Sequence, residues 1–474
     1  MHRIVSEVRD EGICGPHKRV GIAGKEIRFG TVIPYHRLWE TAGGKTALIS
    51  EFLKGYPDSL CFLATEEPGK PSLRRSKAPV EDFTGNGLLR SAGADRLTVF
   101  GAHVSFRTET RKVIVFDEFQ CIGQSDPAFL SVMQRVWDTL LENADVMLIL
   151  CGSQVSVMKS QTLDYSSPLY GRRTGQIRLG QIPFSHYHEF FDGQSGNELL
   201  PACAVTNCAP KCTEAFRGCA DVCEAVGRNV PNPESCLCEE THFLLRKEVS
   251  GIGSCFSLIK PVATENRRHF GIAADPGLKQ TGLTKYLKVL TDLDLVEREV
   301  PVTETAPEKS KSGLYRITDN FIAFWFRFVY PYRAWLEKGE TACVMAQIRK
   351  GFVQNCAAFV YEDVCREKMW ELSAAGTWDF RFDRVGRYWG TKAGETDIVA
   401  IDTAGGNLIL GECKYASSPK GLSALHALRK KSEALLRLTG TERAHYVLFS
   451  TAGFTQGLED EAERSAAVTL VGRL

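Results

Sequence analysis

VIVFDEFQ (residues 113–120) is a β-branched, apolar run that stops at two acids, Asp117 and Glu118. Such a run is the mark of a parallel strand buried on both faces, with its carboxyl end opening into a crevice. Upstream stands GGKT (Gly43, Gly44, Lys45, Thr46), the tail of a phosphate-binding loop. The two together describe a nucleoside triphosphate site. Backbone N–H groups at Gly43 and Gly44 and the Lys45 ammonium hold phosphates, and the Thr46 hydroxyl binds Mg²⁺. Asp117 holds the metal's water shell, and Glu118 polarises the attacking water.

The loop departs from its full pattern. Trp39 stands six residues before the lysine, where the pattern has glycine, and its ring crowds the turn that brings amides to phosphate. The preceding TVIPYHRLWETA carries Pro34, His36, Arg37 and Glu40 where an apolar strand should feed the loop. After the loop, Ala47, Leu48, Phe52 and Leu53 recur at helical spacing until Gly55-Tyr56-Pro57 ends the helix.

A chain of 474 residues calls for two or three cores. The formal net charge of +1 excludes a global basic field for nucleic acid, so any such contact is a local patch. The N-terminal MHRIVSEVRDEG lacks the apolar core of a signal peptide, and FIAFWFRFVYPY (321–332) is broken by Arg327 and Pro331 and is too short to span a bilayer. The expectation is a soluble, cytoplasmic protein without membrane contact. Of 16 cysteines, those at 203, 208, 212, 219, 223, 236 and 238 cluster without a CxxC knuckle. Buried reduced thiols are the simpler reading, and a zinc-stabilised interaction domain over Cys203–Cys238 is the alternative.

From 43 to about 200, helices alternate with apolar strands at LCFLAT (60–65), KVIVFDEF (112–119) and DVMLILCGS (145–153). Ser153 ends the last of these as a second polar strand tip, where related ATPases sense the γ-phosphate. In SPLYGRRT (167–174), Arg172 and Arg173 suit a phosphate finger in the same or a neighbouring subunit, or form a solvated loop. Residues 11–42 and 73–100 show little periodicity. They are long variable loops, or a locally disturbed reading frame. Along 277–299, Leu283, Tyr286, Leu287 and Leu290 share a helical face, with Lys279, Lys285 and Lys288 outside. The alternating LDLVEREV and the charged TETAPEKSKSG (303–313) follow, a helix-strand-wing order suited to DNA contact or to a docking lid.

ETDIVAIDTAGGNLILGECKY (395–415) reads as a hairpin turning at Ala404-Gly405. If Thr403 pairs with Gly406, Asp397 falls opposite Glu412, Val399 opposite Leu410 and Ile401 opposite Leu408. Lys414 shares the face of the two carboxylates. Opposed carboxylates repel unless a cation lies between them, so a divalent metal fits, with Lys414 orienting water and Glu362 of AAFVYEDVCREKMWEL completing the set. Solvated strand ends with a salt-bridging lysine are the alternative.

In their order, GGKTALISEFLK, VIVFDEFQ, LILCGSQVSVM, SPLYGRRTGQIRL, LYRITDNFIAFWFRFVYP and ETDIVA…LILGECKY resemble prokaryotic, archaeal-type P-loop ATPases of the AAA+/STAND group that carry a C-terminal restriction-endonuclease-like domain. The resemblance implies an α/β fold: a P-loop parallel sheet (1–200), a helical and winged-helix domain (201–312) and an α/β endonuclease-like domain (313–474). It implies an ATP site of Lys45, Thr46, Asp117, Glu118 and Arg172 or Arg173, and a nuclease-like site of Glu362, Asp397, Glu412 and Lys414. Expected cofactors are ATP and Mg²⁺, with a second divalent metal at the C-terminal site; expected partners are DNA or RNA and copies of the same chain. The function expected is an ATPase driving the later modules on nucleic acid. Its rival is a non-hydrolysing regulatory protein with a degraded loop and an inactive nuclease fold.

Overall fold

The structure, a computed structural model, describes residues 19–22, 25–28, 45–64, 101, 103, 111–177, 179–191, 193, 194, 196–219, 221–230, 235, 237, 241, 252–264 and 280–474. Trp39, Gly43, Gly44, Cys236, Cys238, Lys279 and the stretch 73–100 lie outside the described residues. The chain divides into two compact units, 1–180 and 181–474.

In the first unit, a short antiparallel hairpin (β1 Arg19–Ile22, β2 Lys25–Arg28) precedes the helix Lys45–Leu53. Three parallel strands follow, β3 (Ser59–Leu63), β4 (Lys112–Asp117) and β5 (Val146–Leu150), with β4 in the middle. The central place explains the unbroken apolar run: every residue of β4 is buried, and Val113 to Phe116 expose 1% or less. Phe116 stacks on Phe62 with ring centroids 5.1 Å apart and meets Phe119 and Phe129 edge-on or tilted. Met133, Val136 and Leu141 close the same core from the helical side.

The second unit begins with helices, among them Gly196–Thr206, Pro210–Phe216, Val222–Asn229, Ile252–Thr264 and Gln280–Asp292. Cys203 and Cys208 are joined as a disulfide, which corrects the expectation of reduced thiols at these two positions. The chain turns back sharply after the first helix, with Asn207 and Cys208 both at positive φ, and this brings the two sulfurs together. Among the described residues, which leave out Cys236 and Cys238, no group of three His, Cys, Asp or Glu side chains is placed to hold a metal ion.

Leu283, Leu287 and Leu290 are buried on one face of Gln280–Asp292, Tyr286 is half-buried, and Lys285 and Lys288 are exposed. The helix feeds an antiparallel pair, β6 (Val296–Glu299) and β7 (Leu314–Ile317), joined by the charged 303–313 stretch. Arg298 pins that connection by donating to the carbonyls of Pro307 at 2.9 Å and of Ser310. The aromatic stretch forms the helix Asn320–Phe328, in which Phe321, Phe324, Trp325, Phe326 and Phe328 are buried. Its N-cap is Asp319, which accepts from Ile322 N at 2.9 Å and from Asn207 Nδ2 at 2.9 Å. Among the described residues no helix is long and apolar enough to cross a membrane.

The helices Thr341–Phe352 and Ala358–Ala374 lead into a five-stranded sheet ordered β12-β11-β10-β9-β8. β8 (Arg384–Gly390), β9 (Gly394–Asp402) and β10 (Asn407–Lys414) run antiparallel. β11 (Arg443–Ser450) and β12 (Val468–Val471) add in parallel, through the crossover helices Leu422–Thr439 and Gln456–Arg464. The β9–β10 register is the one the hairpin reading requires, with Val399 opposite Leu410 and Ile401 opposite Leu408. Asp402 fixes the turn, accepting from Gly405 N at 2.8 Å and from Asn407 Nδ2 at 2.6 Å.

Phe116 is the aromatic that both the sheet and the helices of the first unit pack against. Phe116→Ala is expected to destabilise that unit by about 3–5 kcal/mol, read as an earlier urea transition by Trp137 fluorescence.

Candidate functional site

The carboxyl end of β4 delivers the first site. Because the strand is pinned on both sides, Asp117 is held at its tip and is 4% exposed. Thr46, in the first turn of the helix Lys45–Leu53, donates its hydroxyl to Asp117 Oδ2 at 2.9 Å. The other oxygen, Oδ1, accepts the Glu118 N–H at 3.0 Å. The residues at the loop's end and at the strand's tip therefore meet, 71 positions apart in sequence. Lys45 belongs to the same electrostatic neighbourhood. Burial, then the Asp117 carboxylate, push the Cys151 thiol up to about 12, and the Lys45 ammonium opposes that rise.

Glu118 occupies the left-handed region, φ 54° and ψ 39°, as the N-cap of the helix Phe119–Ser125. A non-glycine residue there is uncommon, and the geometry turns the chain abruptly from strand to helix. Its carboxylate faces the tip of β5. Ser153 donates to Glu118 Oε2 at 2.8 Å, and Gln120 Nε2 donates to the same oxygen. Thr46, Asp117, Glu118 and Ser153 thus come together at the end of β4, with Lys45 near enough for its charge to be felt at Cys151. Arg172 is engaged elsewhere: it makes a two-pronged pair with Asp138 at 2.7 and 2.8 Å and donates to the Pro168 carbonyl at 2.9 Å. Arg173 donates to Gln176. The sequence reading missed Gln120, which ends the quoted VIVFDEFQ motif but carries no signal of its burial.

The oxygen donors at this tip suit a hard divalent cation. Thr46 and Asp117 present a hydroxyl and a carboxylate within hydrogen-bonding distance of each other, the donor types Mg²⁺ takes beside a phosphate.

The comparisons with known proteins fall on this frame. Residues 72–202 match a family described as an ATPase domain predominantly from Archaea. That span contains Asp117, Glu118 and Ser153 and begins beyond Lys45 and Thr46. Residues 325–428 match a family described as archaeal and bacterial proteins of unknown function, a span containing Glu362, Asp397, Glu412 and Lys414. An uncharacterised protein of Methanocaldococcus jannaschii is 32% identical over 304 residues, covering 64% of this chain and 67% of its own. The chain belongs to the same family as that protein, and residues 72–202 carry the archaeal ATPase domain. A second uncharacterised protein of that organism is 28% identical over 91 residues, 19% of this chain and 88% of its own length. Among solved structures, a Walker-type ATPase of Pyrococcus abyssi aligns with 60% of this chain and 87% of its own, at 16% identity and a TM-score of 0.43.

The C-terminal constellation of the chain is differently built. Asp397 Oδ2 accepts the Cys413 N–H at 2.9 Å, and Lys414 pairs with Glu412 Oε1. Burial, then Glu412, raise the Asp397 carboxyl, while the Cys413 N–H, Lys414 and Arg387 oppose the rise. Glu362 lies close enough to Asp397 to feel its charge, but its own neighbours are Arg387 at 3.6 Å and Arg366 at 3.9 Å. Arg366 also donates to the Asp397 carbonyl at 3.1 Å and pairs with Asp363, which in turn binds Arg316 at 2.8 Å. Burial alone would raise Asp363, yet Arg316 and Arg366 hold it down at about 2.

The expectation of a second divalent metal finds no support here: among the described residues no group of three His, Cys, Asp or Glu side chains is placed to hold a metal ion. Lys414 pairs with Glu412 and Arg387 with Glu362, while Asp397 accepts the Cys413 N–H and is still raised by burial and by Glu412.

Burial pushes Glu362 up to about 7, with Arg387 and Arg366 pulling the other way and Asp397 adding to the rise. A carboxyl raised in the folded state binds more protons there than in the unfolded chain between its ordinary value of 4.5 and about 7. Its contribution to stability is therefore full at low pH and is lost as pH rises through that window. Relative to the wild type, Glu362→Gln should be more stable at pH 8 than at pH 4.5, by up to about 3 kcal/mol in the difference. Paired urea titrations at the two pH values measure it.

Proposed function

We propose that the chain hydrolyses Mg-ATP at the tip of β4 and uses the nucleotide state to act on nucleic acid through its second unit. The observation that carries the reading is the meeting of Thr46 with Asp117 beside a Glu118 whose carboxylate is turned toward Ser153. Lys45 and the amides of Gly43 and Gly44 hold the phosphates. Thr46 and Asp117 hold Mg²⁺, which when bound neutralises charge developing on the phosphoryl oxygens. Glu118 takes the proton of the attacking water, and Ser153 reads the γ-phosphate end of the site. Arg172 and Arg173 reach phosphate only after leaving Asp138 and Gln176, a step that a neighbouring copy of the chain in an oligomer would drive.

In the second unit, the helix Gln280–Asp292 with the β6–β7 pair supports a winged helix whose exposed Lys285 and Lys288 meet phosphates of DNA or RNA. The following helix, the antiparallel β8–β9–β10 and the parallel β11 support a restriction-endonuclease-like fold. With Glu412 paired to Lys414 and Glu362 beside Arg387, that fold acts here as a docking module. Trp39 favours one rival, a non-hydrolysing regulator whose loop no longer admits phosphate.

Steady-state turnover of Mg-ATP by the full chain distinguishes the two. Glu118→Gln should retain nucleotide binding and lose about 10²-fold or more in kcat, and Lys45→Ala should lose binding. Nucleotide binding absent from the wild type, and gained on Trp39→Gly, would establish the rival.

A further inference from the structure

Gln120 is a buried amide whose whole environment is directed at one atom of Glu118. It exposes 1% of its surface. Its Nε2 donates to Glu118 Oε2 and, at 3.1 Å, to Ser153 Oγ, while Ser153 donates to that same Glu118 oxygen. The three side chains close a triangle in which both amide hydrogens and the serine hydrogen are used. The orientation of the amide follows from its neighbour, since a carbonyl turned toward the carboxylate would set oxygen against oxygen. The consequence is an unpartnered Gln120 Oε1, buried among the described residues. Leaving a buried acceptor without a donor is costly, so the triangle persists against a standing penalty.

The amide sits tightly against its neighbours. A Cβ at Gly152 would lie 2.3 Å from Gln120 Oε1 and 2.5 Å from Met158 Sδ, so a side chain there would push the amide or Met158 from its present place. Behind it, Gln161 Nε2 donates to the Gln120 carbonyl at 3.1 Å. Gln161 is itself fitted against Gly123, where a Cβ would lie 2.4 Å from its Cδ. Gln161 Oε1 is a second buried acceptor without a partner. Gln161, Gly123 and Gly152 thus pack around Gln120, which alone of the four bonds the Glu118 carboxylate.

We propose that Gln120 is a positioning residue for hydrolysis. With Ser153 it grips Oε2 of Glu118 and leaves Oε1, which takes no hydrogen bond among the described residues, free to receive a proton from water. The inference rests on the ATPase reading above. Its chemistry is that of a fixed donor pair: two hydrogen bonds to one oxygen fix the carboxylate plane, and a base held within a narrow range of angles loses little on reaching the transition state.

Gln120→Met in the full chain, similar in length and without a donor, is the test. Turnover should fall about ten- to a hundredfold in kcat, while the Kd for Mg-ATP stays within about threefold. Ser153→Ala should fall similarly, and the double variant should fall less than the product of the two, because both act on one oxygen. In a crystal structure of Gln120→Met, the Glu118 carboxylate should leave its place beside Ser153. An unchanged kcat, a loss confined to nucleotide affinity, or a Glu118 carboxylate that stays in place would each overturn the proposal. If Gln120→Met does not fold, Gln120→Asn, which keeps the amide but shortens its reach to Glu118, decides it by the same readouts. A wild type that binds Mg-ATP without turning it over contradicts the hydrolysis reading instead, and the crystallographic result then decides the role of Gln120.

Discussion

The Asp117 carboxylate organises the end of β4 and everything built around it. One oxygen takes the hydroxyl of Thr46 and the other takes the backbone N–H of Glu118, so one side chain ties the helix after the loop to the turn after the strand. An acid can do this only if it does not move, and β4 supplies that rigidity. The strand lies between β3 and β5 with Val113 to Phe116 almost wholly buried, and Phe116 is wedged between Phe62 and Phe129. Burying a large apolar side chain of this kind is worth about 1.5–3 kcal/mol. Several in a row, on the middle strand, fix the position of the acid at their end. Glu118 then pays for its left-handed backbone from this local stability and gains its direction toward Ser153.

The two candidate sites handle charge in opposite ways. At the tip of β4, Thr46 and Asp117 offer neutral and anionic oxygens to a position that a cation and phosphates would complete. At the tips of β9 and β10, Lys414, Arg387 and Arg366 already neutralise Glu412, Glu362 and their surroundings. A chain of ion pairs runs from Glu297 on β6 through Arg316 and Asp363 to Arg366, whose guanidinium reaches the Asp397 carbonyl. The β6–β7 pair and the C-terminal sheet are therefore joined by arginines at the carboxylate end of the sheet. Removing one partner of such a buried pair leaves an uncompensated charge, which makes the junction rigid.

What was legible in the sequence was local. The VIVFDEFQ run specified a central strand with acids at its tip because burial on both faces admits no polar residue. The register of β9 on β10 was legible because a tight turn at 403–406 and strict alternation leave one pairing that keeps Val399, Ile401, Leu408 and Leu410 together. Long-range contacts were not legible. β8 begins and ends in charged and glycine residues with little alternation, and Arg387 on it meets Glu362 only through the tertiary fold. The Cys203–Cys208 link depends on two left-handed residues that no spacing rule marks. Gln120 looked like any polar residue at a helix start, and its burial beside Gly152, just beyond the end of β5, is a tertiary contact. The expected metal rested on the same local view: the hairpin showed two opposed acids and Lys414, while Arg387, which meets Glu362, comes from β8.

Calorimetric titration of the full chain with ATP, with and without Mg²⁺, tests the central claim most directly. The account predicts saturable binding at one site per chain that weakens without Mg²⁺ and on Asp117→Asn. Binding that is absent, or that is indifferent to both the metal and Asp117, would contradict it.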